Sequence, residues 1–189
     1  MAIVKCLPDV LIEILKDLFN AETQFLRALP RCVKQASDPY LKELLRTHFI
    51  DTEHRLERLF QISLLIDRPI NETTCEGIEG VLKEIDNVAS LHSESEELKD
   101  LLLIFILQKI MHYQVASYEN LLSLAETLEN TKFIKSVRIS LYEEIAVENA
   151  LKNISETRIL GTLDKRGTVE DISKDCIIAN GHYKGIRLY

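Results

Sequence analysis

The chain has 189 residues, of which 46% are hydrophobic and 28% charged, and it carries 6 Gly, 4 Pro and a formal net charge of -7. That length holds one core with room for an appendage, and the composition lies far from that of a disordered chain. An acidic balance without a Lys/Arg cluster argues against a nucleic-acid surface.

The four cysteines, Cys6, Cys32, Cys75 and Cys176, stand far apart with no C-x-x-C pair. This points away from zinc or a disulfide framework and towards a reducing compartment. The longest apolar run, Leu101 to Leu107, falls far short of the roughly 20 residues of a membrane span. The first ten residues lack a signal-peptide pattern. The expectation is a cytoplasmic protein with neither membrane nor nucleic acid as partner.

In chain order, a first helix from near Asp9 puts Leu11, Leu15, Leu18, Phe25, Leu26, Leu29 and Val33 on one stripe, with a kink expected at Pro30. The "SDP" at Ser37 to Pro39 is a stop and restart. It opens a second helix with Leu41, Leu45, Phe49, Leu56, Leu59 and Phe60 facing inward, ending near Asp67 to Pro69. A shorter connector from about Thr74 carries Ile78, Val81, Leu82, Ile85 and Val88. Ser93 with Glu96 reads as a capping box for a third long helix that reaches about Leu128. A fourth, with Ile134, Val137, Leu141, Ile145 and Leu151 inward, ends near Ser155. The fold predicted for residues 1–156 is all-α: a four-helix bundle with one short extra helix between the second and third main helices. Residues 157–189 read as a non-helical tail whose runs "TRILGTL", "CIIA" and "GIRLY" are β-prone. Such pieces are too short to be stable alone, so they are expected to dock or to pair between subunits.

The informative residues are acids inside the apolar stripes. Glu22 lies between Leu18 and Phe25; Glu53 continues Phe49 towards Leu56 and Phe60; Glu144 and Glu148 lie between Leu141 and Leu151. Buried carboxylates require protons, cationic side chains or metal. Inward Glu and His on facing helices are how ferritin-like bundles hold paired iron or manganese. The same spacing also fits acids at the stripe's edge, paired with surface Arg or Lys.

These stretches, "DLFNAETQFLRALP", "HFIDTEHRLERL", "CEGIEGVLKE", "QKIMHYQVASYENL" and "LYEEIAVENAL", together resemble the YciE/YciF-like, ferritin-like bacterial stress proteins over roughly Val10 to Glu156. The resemblance implies a cytoplasmic homodimer, or larger homo-oligomer, linked to stress responses. It also implies a di-metal site to which Glu22, Glu53, His112, Glu144 and Glu148 correspond, with Glu84 a weaker member. Typical members read E-H-Y-E where this chain has Met111, His112, Tyr113 and Gln114. A thioether coordinates hard cations poorly. Gln108, His112, Gln114 and Tyr118 then read as remnants of a polar centre, Tyr118 as a core aromatic with its hydroxyl on an inward Glu. Three functions are compatible with this: a stress-associated structural or assembly protein with a partly degraded metal site and no enzymatic role, an iron- or manganese-binding protein with peroxide or oxygen chemistry, or a simple scaffold whose inward acids are protonated or salt-bridged. No nucleophile elbow, phosphate loop or H-E-x-x-H pattern supports another enzyme class.

Overall fold

The computed structural model describes residues 4–67, 70, 74–91, 93 and 95–162. Among them are five helices, α1 (Leu7–Gln35), α2 (Pro39–Leu65), α3 (Glu76–Ser90), α4 (Glu96–Thr127) and α5 (Thr131–Ile154), and no strand. α1 packs on α2 and α4, and α5 packs on α2 and α4. Asp100, at the start of α4, meets the end of α1 through the Ser37 amide, while Tyr113 meets Asp17 nearer the start of α1. α1 and α4 are therefore antiparallel. Asp38 with Arg158, and Arg58 with Ser140, show the same for α2 and α5. α2 and α4 thus run the same way, and the chain must climb the bundle between them. α3 makes that climb, packed against α1 and α4. One long crossover is the ferritin-like connection.

The helix starts follow from local chemistry. Asp9 reaches back to accept the Lys5 and Cys6 amides at 2.9 and 3.2 Å, and α1 then runs through Pro30 without ending. The Asp38 carboxylate accepts the Tyr40 and Leu41 amides at 2.8 and 3.0 Å, with Pro39 in the first turn, where its missing N–H costs nothing. The cap of α4 is Ser95 rather than the expected Ser93: its hydroxyl accepts the Leu98 amide, and Ser93 bonds the Ser95 backbone instead. Asn130 caps α5 through the Phe133 amide at 3.1 Å.

In α2 the buried series is Leu41, Leu45, His48, Thr52, Arg55, Leu59 and Ile62, alternating steps of four and three as in a coiled-coil seam. This corrects the expected inward set: Phe49 and Leu56 are only partly buried, and Phe60 is 49% exposed. Three polar residues in the true stripe hide its phase from a reading of apolar positions alone. The core falls into two apolar clusters, one around Phe25, Leu45, Leu107 and Met111, the other around Leu15, Leu59, Leu121 and Val137.

The boundary at 157 also needs correction. α5 passes into a π-helical turn, Ser155–Ile159, that buries Ile159 against the first cluster. The start of "TRILGTL" is therefore helical, because burial of Ile159 overrides the β-propensity of a short run. Arg158 in that turn pairs with Asp38 at 2.9 Å and lies 3.7 Å over the Tyr40 ring. The later runs, "CIIA" and "GIRLY", lie outside the described residues.

Asp100 is the hub of this end. Its buried carboxylate accepts the Ser37 and Asp38 amides at 2.8 and 2.7 Å. Asp100→Ala leaves both donors of the α1–α2 corner without that acceptor, and a buried donor left unpaired costs about 1–3 kcal/mol. The expected outcome is a lower urea midpoint with an unchanged m-value; an unchanged midpoint would mean that water replaces the carboxylate.

Candidate functional site: a charged layer at the bundle centre

Between the two apolar clusters lies a polar layer to which all four long helices contribute. α1 supplies Glu22, α2 supplies Thr52 and Arg55 with His48 one turn away, α4 supplies Gln114 and Tyr118, and α5 supplies Glu144; all are buried. Each sits at a stripe position of its helix, so the packing that buries the neighbouring leucines buries these groups too.

Arg55 is the centre. Its Nε donates to Glu22 Oε1 at 2.9 Å, and its Nη2 lies 2.7 Å from Glu144 Oε1 and donates to Thr52 Oγ1 at 2.6 Å. The Thr52 hydroxyl in turn donates a hydrogen bond to the His48 carbonyl at 2.7 Å. The Tyr118 hydroxyl donates to the same Glu22 oxygen at 2.8 Å. At the rim, partly exposed Glu143 stands 3.7 Å from Arg55 Nη1 and pairs with Arg58, which also donates to Ser140.

The electrostatics follow. Burial alone would pull the Arg55 guanidinium down, but Glu22 and Glu144 outweigh it and hold its pKa above the ordinary value. Burial pushes Glu144 well above the usual carboxylate range; Arg55 opposes the rise, and Glu22 and Glu143 add to it. One cation faces two dry carboxylates, and burial makes the Glu144 carboxyl hold a proton more tightly than a solvated one. His48 is driven well down by burial and then by Arg55, whose Nη2 is 3.5 Å from its Nδ1, and stays neutral. Tyr118 is driven well up, by burial first, and remains a phenol that donates.

The structure distributes the sequence-derived ligand set unevenly. It brings Glu22 and Glu144 together across one guanidinium. Glu53 points to solvent, correcting its expected inward placement: it is one residue from Thr52, and one residue turns a side chain about 100° around a helix. His112 is exposed on the outer side of α4, with Nδ1 3.5 Å from partly exposed Glu148. Glu84 pairs with Lys109 at 2.5 Å on the surface. Met111 fills the first apolar cluster, and Gln114 is buried with neither amide atom bonded to protein. Tyr118 sits on Glu22 as expected.

A di-metal centre needs several oxygen and imidazole donors converging. Among the described residues no three His, Cys, Asp or Glu side chains do so. The position between Glu22 and Glu144 is filled by a cation that cannot be deprotonated and has no lone pair to give. The residues present do not fit the metal pair. Sequence reasoning missed Arg55, and the signal for it was available: Arg55 stands three residues after Thr52 and four before Leu59.

Comparison with known proteins agrees with the fold. A family model described as a domain of unknown function, DUF892, matches residues 7–163. Protein YciF of Escherichia coli (strain K12) is 32% identical over 152 residues, 80% of this chain and 91% of the relative. The crystal structure of the Escherichia coli stress protein YciF superposes with a TM-score of 0.79 at 30% identity, covering 85% of this chain and all of that one. YcfI of Rhodopseudomonas palustris, provisionally described as a structural protein, gives a TM-score of 0.74 at 27% identity, covering 79% of this chain and 94% of that one. The chain belongs to this DUF892, YciF-like family.

Because Glu144 binds its proton more tightly when folded, its contribution to stability is complete below the unfolded value of about 4.3 and is lost as pH rises through the folded value. Glu144→Gln mimics the protonated form. Its melting temperature, compared with wild type across a pH series, is expected to move in favour of the variant as pH rises above about 4. Parallel curves would mean that Glu144 titrates like a solvated acid.

Proposed function

We propose that this chain is a stress-associated structural protein, a cytoplasmic homo-oligomer, whose bundle centre is closed by Arg55 in place of a metal pair. The stress and structural parts of this reading come from what the relatives are called. The closing of the centre rests on one observation: the buried guanidinium between Glu22 and Glu144. Arg55 occupies the role that a metal plays in a ferritin-like bundle, tying α2 to α1 and α5, while Tyr118 adds α4. It supplies charge and hydrogen bonds without open coordination positions, so the centre holds the helices in register and offers nothing to peroxide or oxygen.

Protein purified without chelators from iron- and manganese-rich medium is expected to hold far less than one metal ion per chain by elemental analysis. A full equivalent of either metal would overturn the reading. Removing one partner of a buried ion pair costs about 3–5 kcal/mol. Arg55→Met should therefore destabilise the fold by that order in chemical denaturation, and adding Glu22→Gln and Glu144→Gln should recover most of the loss. If Arg55→Met alone is neutral, Arg55 does not hold the centre closed.

A further inference from the structure

His48 is buried on the inward stripe of α2, on the same face of the helix as Arg55. Its ring lies 5.4 Å from that of Phe25 on α1, tilted by 53°. Nδ1 is 3.5 Å from Arg55 Nη2. A guanidinium has only donors, so Nδ1 faces it as an acceptor and the ring proton sits on Nε2. Nε2 is buried without a hydrogen-bond partner. Thr52 ties the two residues together: its hydroxyl accepts from the same Nη2 at 2.6 Å and donates to the His48 carbonyl at 2.7 Å.

The charges around this ring decide what a second ring proton does. α2 packs directly on α1 and α5. Glu22 comes from α1, Glu144 from α5 with Glu143 and Glu148 nearer its rim, and the Tyr118 phenol from α4; on α2 itself, partly buried Asp51 lies one turn on. Glu22 and Glu144 are committed to Arg55, Glu143 to Arg58 and Glu148 to His112. Among the described residues no carboxylate pairs with His48. A proton on Nδ1 therefore sets donor against donor and a second cation beside Arg55, in a site where water does not screen the repulsion. Burial first, and then Arg55, hold the imidazole well below its ordinary proton affinity.

We propose that His48 is an acid-sensitive lock on the bundle centre: the neutral imidazole accepts from Arg55 and completes the charged layer, the imidazolium is incompatible with it, and acid opens the centre. The inference rests on the reading of Arg55 as the group that closes that centre. The unfolded chain takes up the His48 proton near pH 6.5, and the folded chain only at lower pH. The stability contributed by neutral His48 is thus complete above about pH 6.5 and is lost as pH falls below it.

Glu144, Asp38 and Asp100 also titrate abnormally, so the measurement compares wild type with His48→Gln, which leaves those groups in place. In urea unfolding from about pH 8 down to about pH 5, the ratio of the wild-type to the variant unfolding constant is expected to stay constant above about pH 7. Below about 6.5 it should rise by up to about tenfold for each pH unit. His48→Phe, which keeps a ring against Phe25, gives the same comparison if glutamine impairs folding. In wild type, the His48 ring resonance, identified by its loss in either variant, is expected to hold its neutral position until the chain unfolds. A flat ratio, or a His48 that titrates near pH 6.5 in a chain still folded, overturns the lock. Either result spares the closed-centre reading, which falls separately if Arg55→Met is neutral.

Discussion

A single guanidinium, buried with no exposed surface between carboxylates of two other helices, is the constraint on which this bundle turns. A charge in a dry core is tolerated only if its partners are fixed at hydrogen-bond distance, so Arg55 dictates where α1 and α5 stand relative to α2. Sliding α2 by one helical turn would move its charge about 5.4 Å along the bundle and leave Glu22 and Glu144 facing Leu59 or Thr52. Apolar stripes tolerate such a slip because leucine meets leucine again one turn on. A charged layer does not, and it separates the core into two clusters that cannot exchange partners.

A second fixed point stands at one end of the bundle. Asp100 of α4 holds the amides of Ser37 and Asp38, Asp38 caps α2, and Arg158 beyond α5 returns to Asp38 and covers Tyr40. The same four helices are thus pinned twice, at the centre by a buried ion pair and at the end by a partly solvated one. The two pins differ in strength because the end pair is open to water, where ion pairs contribute little. Order at the end therefore depends on the amide contacts of Asp100 more than on the charge of Arg158.

The helices themselves were legible in the sequence. Asp38 followed by Pro39, the 3.6-residue recurrence of leucines in α1, and the connector's Ile78, Leu82, Ile85 and Val88 each determine local structure through neighbours close in the chain. What escaped was the phase of α2. There the inward series contains His48, Thr52 and Arg55 in a row, and a reading that follows apolar residues slides onto Phe49 and Phe60, carrying Glu53 inward with them. The choice between the two phases is settled by Glu22 and Glu144, which lie on other helices, and no local pattern contains them. The tail's first residues misled for a related reason: Ile159 is β-prone in isolation and helical because α4 and α5 offer it a place in the core.

The quartet Met111, His112, Tyr113 and Gln114 connects the centre to the family pattern it resembles, E-H-Y-E. Of its four positions, Met111 and Gln114 are buried, while His112 is exposed and Tyr113 lies partly exposed against Asp17 and Cys75. The two positions that differ are the two that face the core. An acid at Gln114 would add a carboxylate to the layer that already sets Glu22 and Glu144 against one cation, and one at Met111 would bury another in the adjoining apolar cluster, an excess that calls for further protons, cationic side chains or metal. With Met and Gln there, no further charge joins the one that Arg55 offsets, and the raised proton affinity of Glu144 works in the same direction. Uncharged side chains on α4 and a fixed cation on α2 therefore act on one charge balance, in which Arg55 is set against the carboxyl groups of Glu22 and Glu144.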